Sequence, residues 1–308
     1  MGNRPRIARA HSGVFRPPPL HARVPLVYHR ARPQPHPQGP TPMVYKAVEG
    51  TGPLVVSMPH AGALTPEEVA ERMTDAGRAA ADTDWHVNRL YEFLDELEVP
   101  HIRSIYSRYV CDLNRPPDGS PLYDGQGASE LVPTRTFDGA AIYQDDCEPG
   151  EDEIRSRWRD YWQPYHLALA NLMLQAKDRY GVVVLLEAHT TRSQIPGLFD
   201  GTLPDFNLGT RDGASCAPDL RDRVVAAVQQ AEGYSHAVDH PFKGGFITRS
   251  YGRPDEGTHA LQLELAQRTY MQESPPWTYS NKGGGLVRPH LRRIVETMRD
   301  WAEAQAQG

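Results

Sequence analysis

Two histidines stand directly after apolar runs of the kind that form buried strands. His60 ends LVVSMPH, where Pro59 and Gly62 predict a turn, and His189 ends VVLLEAH. The carboxyl ends of parallel strands meet at one edge of an open α/β sheet, and ligand sites collect there. A single histidine of this kind would more often be a structural residue with satisfied hydrogen bonds, but two at equivalent strand ends favour a shared site.

Two imidazoles in one site predict a bound metal ion. A zinc ion that supports hydrolysis needs about three protein ligands and an open position for water, and nitrogen and carboxylate donors suffice where cysteine is not used. The segment ADTDWHVNRLY, at the start of a predicted helix, offers the third ligand. Asp84 is preferred because Asp82 is equally well explained as a helix N-cap, and His86 is a weaker alternative.

Glu264 is the candidate proton acceptor. It lies in HALQLELAQ, where Leu261, Leu263 and Leu265 predict burial, and an unpaired buried charge would be costly. A carboxylate in a desolvated site can take a proton from an attacking water and later protonate a leaving amine. A salt bridge with a nearby arginine would explain the residue equally well.

Arginines near these segments predict a small anionic substrate. Asn114 and Arg115 lie at the end of RYVCDLNRPP, and three further arginines in loops rich in Gly, Pro or Thr are Arg192, Arg249 and Arg253. The planar guanidinium binds a carboxylate through two parallel hydrogen bonds, and an adjacent Asn amide adds a donor. For any one of these arginines, pairing with a surface acid is the simpler explanation.

An α/β domain is expected to hold these residues. After Met43, short apolar runs alternate with helical stretches, and no repeat or change of composition divides the body, so one domain is predicted. We predict strands at 54–58, 101–117, 181–189 and 258–266, and helices at 65–76, 84–97, 151–180, 218–232 and 289–304. Residues 118–150 lack periodicity, which predicts a long functional loop.

The composition excludes several classes of protein. Hydrophobic residues make up 39% and charged residues 23% of the chain, as in ordinary soluble proteins, and no apolar run approaches the roughly 18 residues of a membrane span. Three cysteines without CxxC spacing argue against a disulfide framework or a cysteine zinc site, and the expected location is the reducing cytoplasm. The chain has no GxSxG motif of a serine hydrolase.

Residues 1–42 differ from the rest of the chain. They hold seven of the 33 basic residues, no acid and ten of the 28 prolines, which predicts a disordered extension. It is a targeting peptide, a basic tail or, as we prefer, upstream sequence outside the native protein. The remaining 26 basic and 39 acidic residues argue against a nucleic-acid partner for the catalytic domain, residues 43–308. A binding protein that uses the basic arm is the remote alternative.

Five segments, in order, resemble the N-formylglutamate deformylase family, also called N-formylglutamate amidohydrolases, of the histidine-degradation pathway. They are PHAG, DTDWHVNRLY, SRYVCDLNRPP, EAHTTRS and GGFITRSYGRPDEGTHALQLELAQRTYM. The resemblance covers most of residues 45–300 and is far more specific than PHxG alone. The family is similar in turn to zinc carboxypeptidases, which implies one domain with a central mixed β-sheet, helices on both faces and one zinc ion at the strand ends.

The resemblance implies an amidohydrolase that converts N-formyl-L-glutamate to formate and L-glutamate with zinc or another divalent metal. Its implied metal ligands are His60, Asp84 and His189, and its implied general base is Glu264. Asn114 and Arg115 match an Asn-Arg pair that holds the substrate carboxylate in carboxypeptidases. Hydrolysis of another N-acyl amino acid with an acidic side chain is the alternative, because arginines report a carboxylate and not the size of the acyl group.

The sequence departs from those relatives at Ala63, which stands three residues after His60 where the carboxypeptidases keep a glutamate. The second ligand must therefore come from elsewhere, and Asp84 is the residue that we expect to supply it. The sequence contains nothing that indicates an oligomeric state.

Overall fold

A computed structural model of the chain describes residues 43–123 and 129–307. The predicted extension, residues 1–42, lies outside the described residues. No helix of the described part is long and apolar enough to cross a membrane. The three cysteines are free, and two of them are buried.

One mixed sheet runs through the described residues. Its strands are β1 (Tyr45–Val48), β2 (Leu54–Met58), β3 (His101–Ser104), β4 (Val183–Thr191), β5 (Phe206–Gly209), β6 (His236–Val238) and β7 (Thr258–Ala266). The strand order is β1-β3-β2-β4-β7-β5-β6. The four strands β3, β2, β4 and β7 are parallel, whereas β1 and β5 each pair antiparallel with their inner neighbour. The carboxyl ends of the parallel strands therefore share one edge.

Helices flank this sheet. They are α1 (Glu67–Ala70), α2 (Asp75–Arg78), α3 (Val87–Leu90), α4 (Phe93–Glu96), α5 (Glu151–Arg157), α6 (Gln163–Tyr180), α7 (Pro218–Gln229), α8 (Phe246–Tyr251) and α9 (Asn281–Ala306). A π-helical turn, Trp158–Trp162, joins α5 to α6. Short 3₁₀ turns occupy Pro254–Glu256 and Gln267–Thr269.

Both faces of the central strand β4 are covered. Val183 and Leu185 pack in the core cluster that contains the apolar residues of α6, while Val184 and Leu186 pack in the cluster formed with α7 and α9. This alternation follows from the two-residue period of a strand, and it explains why VVLLEAHTT is apolar on both faces. The predicted class, a single α/β domain with a central mixed sheet between helices, is confirmed.

Several predicted elements have different bounds in the structure. The strand predicted at 101–117 ends at Ser104, and the residues after it form a buried loop. The helix predicted at 65–76 is divided into α1 and α2, because the Thr74 hydroxyl accepts the backbone N–H of Gly77 and caps a second helix. Pro289 does not begin the last helix but lies inside α9, whose N-cap is Ser280.

Candidate active site and metal centre

Three of the predicted residues meet at the carboxyl edge of the sheet. His60 lies two residues beyond β2, His189 lies near the end of β4, and Asp84 lies just before α3. The candidate ligand atoms of these buried residues all lie within 4.8 Å of one another. The Asp84 backbone N–H donates to the His60 carbonyl oxygen at 3.0 Å, so a backbone hydrogen bond joins the two segments that supply these ligands.

A buried carboxylate fixes each imidazole through its Nε2 atom. His60 Nε2 donates to Asp112 Oδ1 at 2.7 Å, and His189 Nε2 donates to Glu187 Oε1 at 2.7 Å. In the neutral form of each ring, a proton on Nε2 leaves the Nδ1 lone pair for a metal ion. Nδ1 of His60 lies 4.0 Å from Asp84 Oδ2, and Nδ1 of His189 lies 2.9 Å from the same oxygen. Carboxylate–histidine pairs of this kind orient metal ligands and fix their tautomers.

The carboxylates behind the two histidines, Asp112 and Glu187, are called here the outer carboxylates. Different groups hold each of them in place. Asp112 accepts the Arg108 guanidinium at 2.6 Å and the Asn114 backbone N–H at 2.9 Å. Glu187 accepts the Thr248 backbone N–H at 3.0 Å together with the Thr248 hydroxyl. One carboxylate is thus paired with a charged group, and the other is held by neutral donors.

This difference changes the protonation of the two rings. Burial, helped by the positive charge of Arg108, lowers the pKa of His60 in spite of nearby carboxylates. Burial alone would also lower the pKa of His189, but Glu187 and Asp84 raise that pKa well above its ordinary value. His60 is therefore neutral, as a metal ligand must be, and His189 lies where the surrounding charge favours a cation.

The donor set of this cluster fits a divalent metal such as zinc. Two imidazole nitrogens and one carboxylate oxygen are a combination that catalytic zinc sites use. Each imidazole also has the outer carboxylate that such ligands require. The buried negative charges of Asp84 and Glu187 are of the sign that a bound cation would compensate.

Glu264 lies beside this cluster. It is paired with His189 across β4 and β7 and is only 7% exposed. Gln262 Nε2 donates to its Oε2 atom at 3.3 Å, and among the described residues it forms no salt bridge with an arginine. Burial raises the pKa of Glu264 to about 8, which is near the pH range where a proton-transfer group works best.

A cavity of about 460 Å³ opens in front of these residues. Its lining includes His60, Asp84, Asn114, Arg115, His189 and Glu264. The Asn114 carbonyl oxygen Oδ1 accepts the Ile247 backbone N–H at 2.9 Å, and its amide nitrogen lies 3.1 Å from His189 Nε2, so the amide stands beside a candidate ligand in the wall of the cavity. Arg115 donates to the Asn114 backbone oxygen at 3.1 Å and has no carboxylate partner in the described part of the chain. Its charge is available to an anion.

The other three predicted arginines differ in position. Arg192 forms ion pairs with Asp82 at 3.1 Å and Asp138 at 2.7 Å. Arg249 lies over the ring of Tyr123, 4.9 Å from its centroid, and Tyr123 lines the cavity. Arg253 pairs with Thr258, the first residue of β7, so the structure places it at the opposite end of that strand from Glu264.

The two alternative ligands that the sequence left open have other contacts. Asp82 accepts the Tyr109 hydroxyl at 2.6 Å and the Phe137 backbone N–H at 2.8 Å, so it anchors loops and caps no helix. His86 Nε2 bonds to the carbonyl oxygen of Trp277 at 2.7 Å. Neither residue belongs to the cluster around Asp84.

Sequence reasoning assigned no role to the supporting residues Asp112, Glu187, Thr248 and Gln262. Glu187 had a usable signal, because it stands two residues before His189 and side chains at i and i+2 of a strand share a face. Asp112 had none, since its contact with His60 joins residues 52 positions apart.

Comparison with known proteins places the chain among enzymes of one kind. The family model described as N-formylglutamate amidohydrolase matches residues 52–271. The N-formylglutamate deformylase of Pseudomonas aeruginosa is 44% identical over 252 residues, which cover 82% of this chain and 94% of that protein. The N-formylglutamate deformylase of Pseudomonas putida is 40% identical over 259 residues, covering 84% and 97%.

Solved structures show the same architecture. The N-formylglutamate amidohydrolase of Ralstonia eutropha has a TM-score of 0.71 at 26% identity, over 86% of this chain and 99% of that one. A gene product of Agrobacterium tumefaciens has a TM-score of 0.64 at 16% identity, over 85% and 97%, which supports the fold alone. The range matched by the family model contains His60, Asp84 and His189 together with the buried Glu264.

Proposed function

Because this chain belongs to the N-formylglutamate amidohydrolase family, we propose that it hydrolyses N-formyl-L-glutamate to formate and L-glutamate. The reaction would be the last step of a histidine-degradation route, in the cytoplasm. The observation that carries the proposal is one cavity lined by a candidate metal donor set, a buried carboxyl group and the guanidinium of Arg115, which has no carboxylate partner among residues 43–123 and 129–307.

His60, Asp84 and His189 would hold the metal, zinc in our proposal. When bound, such an ion polarises the formyl carbonyl and lowers the pKa of water. Glu264 removes a proton from the water that attacks the formyl carbon. It then delivers this proton to the amide nitrogen, so the carbon–nitrogen bond breaks and L-glutamate leaves as the amine.

The substrate carries two carboxylates, so the proposal requires two groups that bind them. Arg115 and the amide nitrogen of Asn114 would bind one carboxylate. Arg249, which lies over the cavity residue Tyr123, is positioned for the other. Arg192 and Arg253 have no part in this proposal, because one is paired with two carboxylates and the other lies at the far end of β7.

The activity is tested by formate release, measured together with the metal content of the purified protein. N-formyl-L-glutamate should release formate, a chelator should stop the release, and added zinc should restore it. N-formyl-L-glutamine, a neutral side-chain isostere, should react with a kcat/KM lower by about tenfold or more, since a buried charged hydrogen bond is lost. N-acetyl-L-glutamate tests the size of the acyl group. Metal-loaded protein that releases no formate would refute the proposal, and a preference for the acetyl substrate would shift it to the alternative acyl group.

Glu264→Gln tests the proton-transfer role. The variant should keep its metal and its KM while kcat falls on the order of 10²-fold or more. Glu256→Gln, an exposed change at the other end of β7, is the matched control and should leave kcat unchanged. Turnover of Glu264→Gln near that of the control would remove Glu264 from the mechanism.

A further inference from the structure

The loop that carries Asn114 and Arg115 is buried but belongs to no strand. Buried backbone carbonyls need hydrogen-bond partners, and here no sheet ladder supplies them. The Asn114 carbonyl is satisfied by the guanidinium of Arg115 at 3.1 Å. The carbonyls on either side of it, those of Leu113 and Arg115, must find donors elsewhere.

Two side chains of the continuous helix formed by α5, the π turn and α6 supply those donors. His166 Nε2 donates to the Leu113 carbonyl oxygen at 2.8 Å, and Trp162 Nε1 donates to the Arg115 carbonyl oxygen at 3.1 Å. The two residues are one helical turn apart, and their rings stack with centroids 3.8 Å apart. Each side chain is only 6% exposed, so water competes little for these hydrogen bonds.

A third donor on the same helix reaches the start of the loop. Arg157 Nη1 donates to the Val110 carbonyl oxygen at 3.1 Å. Arg157 stands five residues before Trp162, and the π-helical turn lies between them. The i→i+5 bonding of a π turn widens the helix, so residues five positions apart return to one face. We call Arg157, Trp162 and His166 the donor row.

Trp162 and His166 of the donor row remain hydrogen-bond donors throughout the neutral pH range. Because the Leu113 carbonyl can only accept a hydrogen bond, the ring proton of His166 is on Nε2, and Nδ1 lies 3.0 Å from the Tyr251 hydroxyl oxygen. Burial lowers the pKa of His166 to about 4, so the ring stays neutral throughout the neutral range. Trp162 has only a donor to offer.

We propose that Trp162 and His166 are positioning residues for substrate binding: by holding the carbonyls on both sides of Asn114, they set the direction in which the Asn114 amide and the Arg115 guanidinium enter the cavity. The π turn is the device that brings Arg157 onto the same face, so that one helix holds the loop at three points. This inference rests on the proposed function, which gives Asn114 and Arg115 the substrate carboxylate.

Trp162→Phe is the first test, because phenylalanine keeps an aromatic ring beside His166 and removes the N–H. The KM for N-formyl-L-glutamate should rise about tenfold, the effect of roughly one buried hydrogen bond, while kcat and metal content stay within about twofold. Trp301→Phe is the matched control. Trp301 is 2% exposed and donates to Asp219 at 2.6 Å on the opposite face of the sheet, so its loss should lower the melting temperature without raising KM.

His166 provides a second, independent pair of variants. His166→Gln can still present an amide N–H near the position of Nε2, whereas His166→Leu cannot. The leucine variant should show the rise in KM and the glutamine variant should largely restore it, a rescue that a purely structural role does not predict. Equal KM values in wild type, Trp162→Phe and His166→Leu would overturn the inference. Absence of formate release from wild type would instead refute the proposed function, so the two failures are distinguishable.

Discussion

The ends of β2 and β4 present the same ligand in different electrostatic settings. Each places a histidine at the carboxyl edge, and each histidine donates Nε2 to a carboxylate at 2.7 Å. At the β2 end Asp112 is neutralised by Arg108, whereas at the β4 end Glu187 is held by the neutral donors of Thr248. The comparison indicates that the β2 end only positions its histidine. The β4 end positions its histidine and also provides negative charge that attracts a cation.

The largest effect on metal binding should come from removing the imidazole of His189 at the end of β4. His189→Ala deletes a ligand and leaves Glu187 and Asp84 without the group between them, so the purified protein should lack stoichiometric metal. The loss of metal affinity should exceed the roughly 10–100-fold expected for an outer-shell partner. Elemental analysis after dialysis measures it.

His60→Ala should also weaken metal binding, but by less, because the negative charge of the β4 end remains. His259→Ala, which removes a buried histidine at the amino end of β7, is the control and should keep its metal. Equal metal content in His189→Ala and the control would refute the proposed metal site. A greater loss of metal in His60→Ala than in His189→Ala would mean that the β2 end contributes more to metal binding than the β4 end.

A smaller and more selective effect should come from the outer carboxylates. In Glu187→Gln the Thr248 donors require the amide oxygen, so the amide NH₂ turns toward His189 Nε2 and drives the ring proton onto Nδ1, the metal-facing atom. Metal affinity should fall about 10–100-fold with a limited loss of stability, since His189, unlike an arginine, can release its proton and leave no buried charge behind. Competition with a chromogenic chelator measures the affinity.

Asp112→Asn should differ in kind. It leaves the guanidinium of Arg108, which is 6% exposed, without its carboxylate, and removing one partner of a buried pair costs about 3–5 kcal/mol. The free energy of unfolding in urea should therefore fall clearly more in this variant than in Glu187→Gln. Similar losses of stability in the two variants would contradict the proposed division between the strand ends.

The structure brings the candidate ligands together, and the sequence could predict this because the two histidines lie at the ends of periodic elements. The run LVVSM forms β2 at the predicted bounds, and THALQLELA forms β7, so His60 and Glu264 fall at the sheet edge as the pattern indicates. The register of a long central strand then fixes which side chains share a face.

The loop after β3 could not be predicted in the same way. RYVCDLNRPP has the composition of a strand, but three of its backbone carbonyls accept hydrogen bonds from Arg157, Trp162 and His166, which are distant in sequence. Such tertiary partners leave no local pattern. Predicting a role for an arginine is harder still: Arg192 and Arg115 look alike in sequence, and only the fold shows that two carboxylates neutralise the first.

The smallest effect is in the pH dependence of stability of the metal-free protein. The raised pKa of His189 adds stability that is fully present below the unfolded-state pKa near 6.5 and is lost as pH rises through the folded-state pKa. The lowered pKa of His60 has the opposite sign, because the folded state resists a proton that the unfolded chain accepts, and stability falls as pH drops below about 6.5.

These signs predict opposite behaviour for two conservative variants. As the pH is lowered from about 8 to about 5.5, chelator-treated His189→Asn should lose stability relative to wild type, and His60→Asn should gain it. Each unit of difference between the folded-state and unfolded-state pKa contributes about 1.4 kcal/mol, so urea unfolding at the two pH values resolves the effect. Shifts of the same sign in both variants would contradict this difference between the strand ends, because burial together with Arg108 lowers the pKa of His60, whereas Glu187 and Asp84 raise the pKa of His189 against the effect of burial.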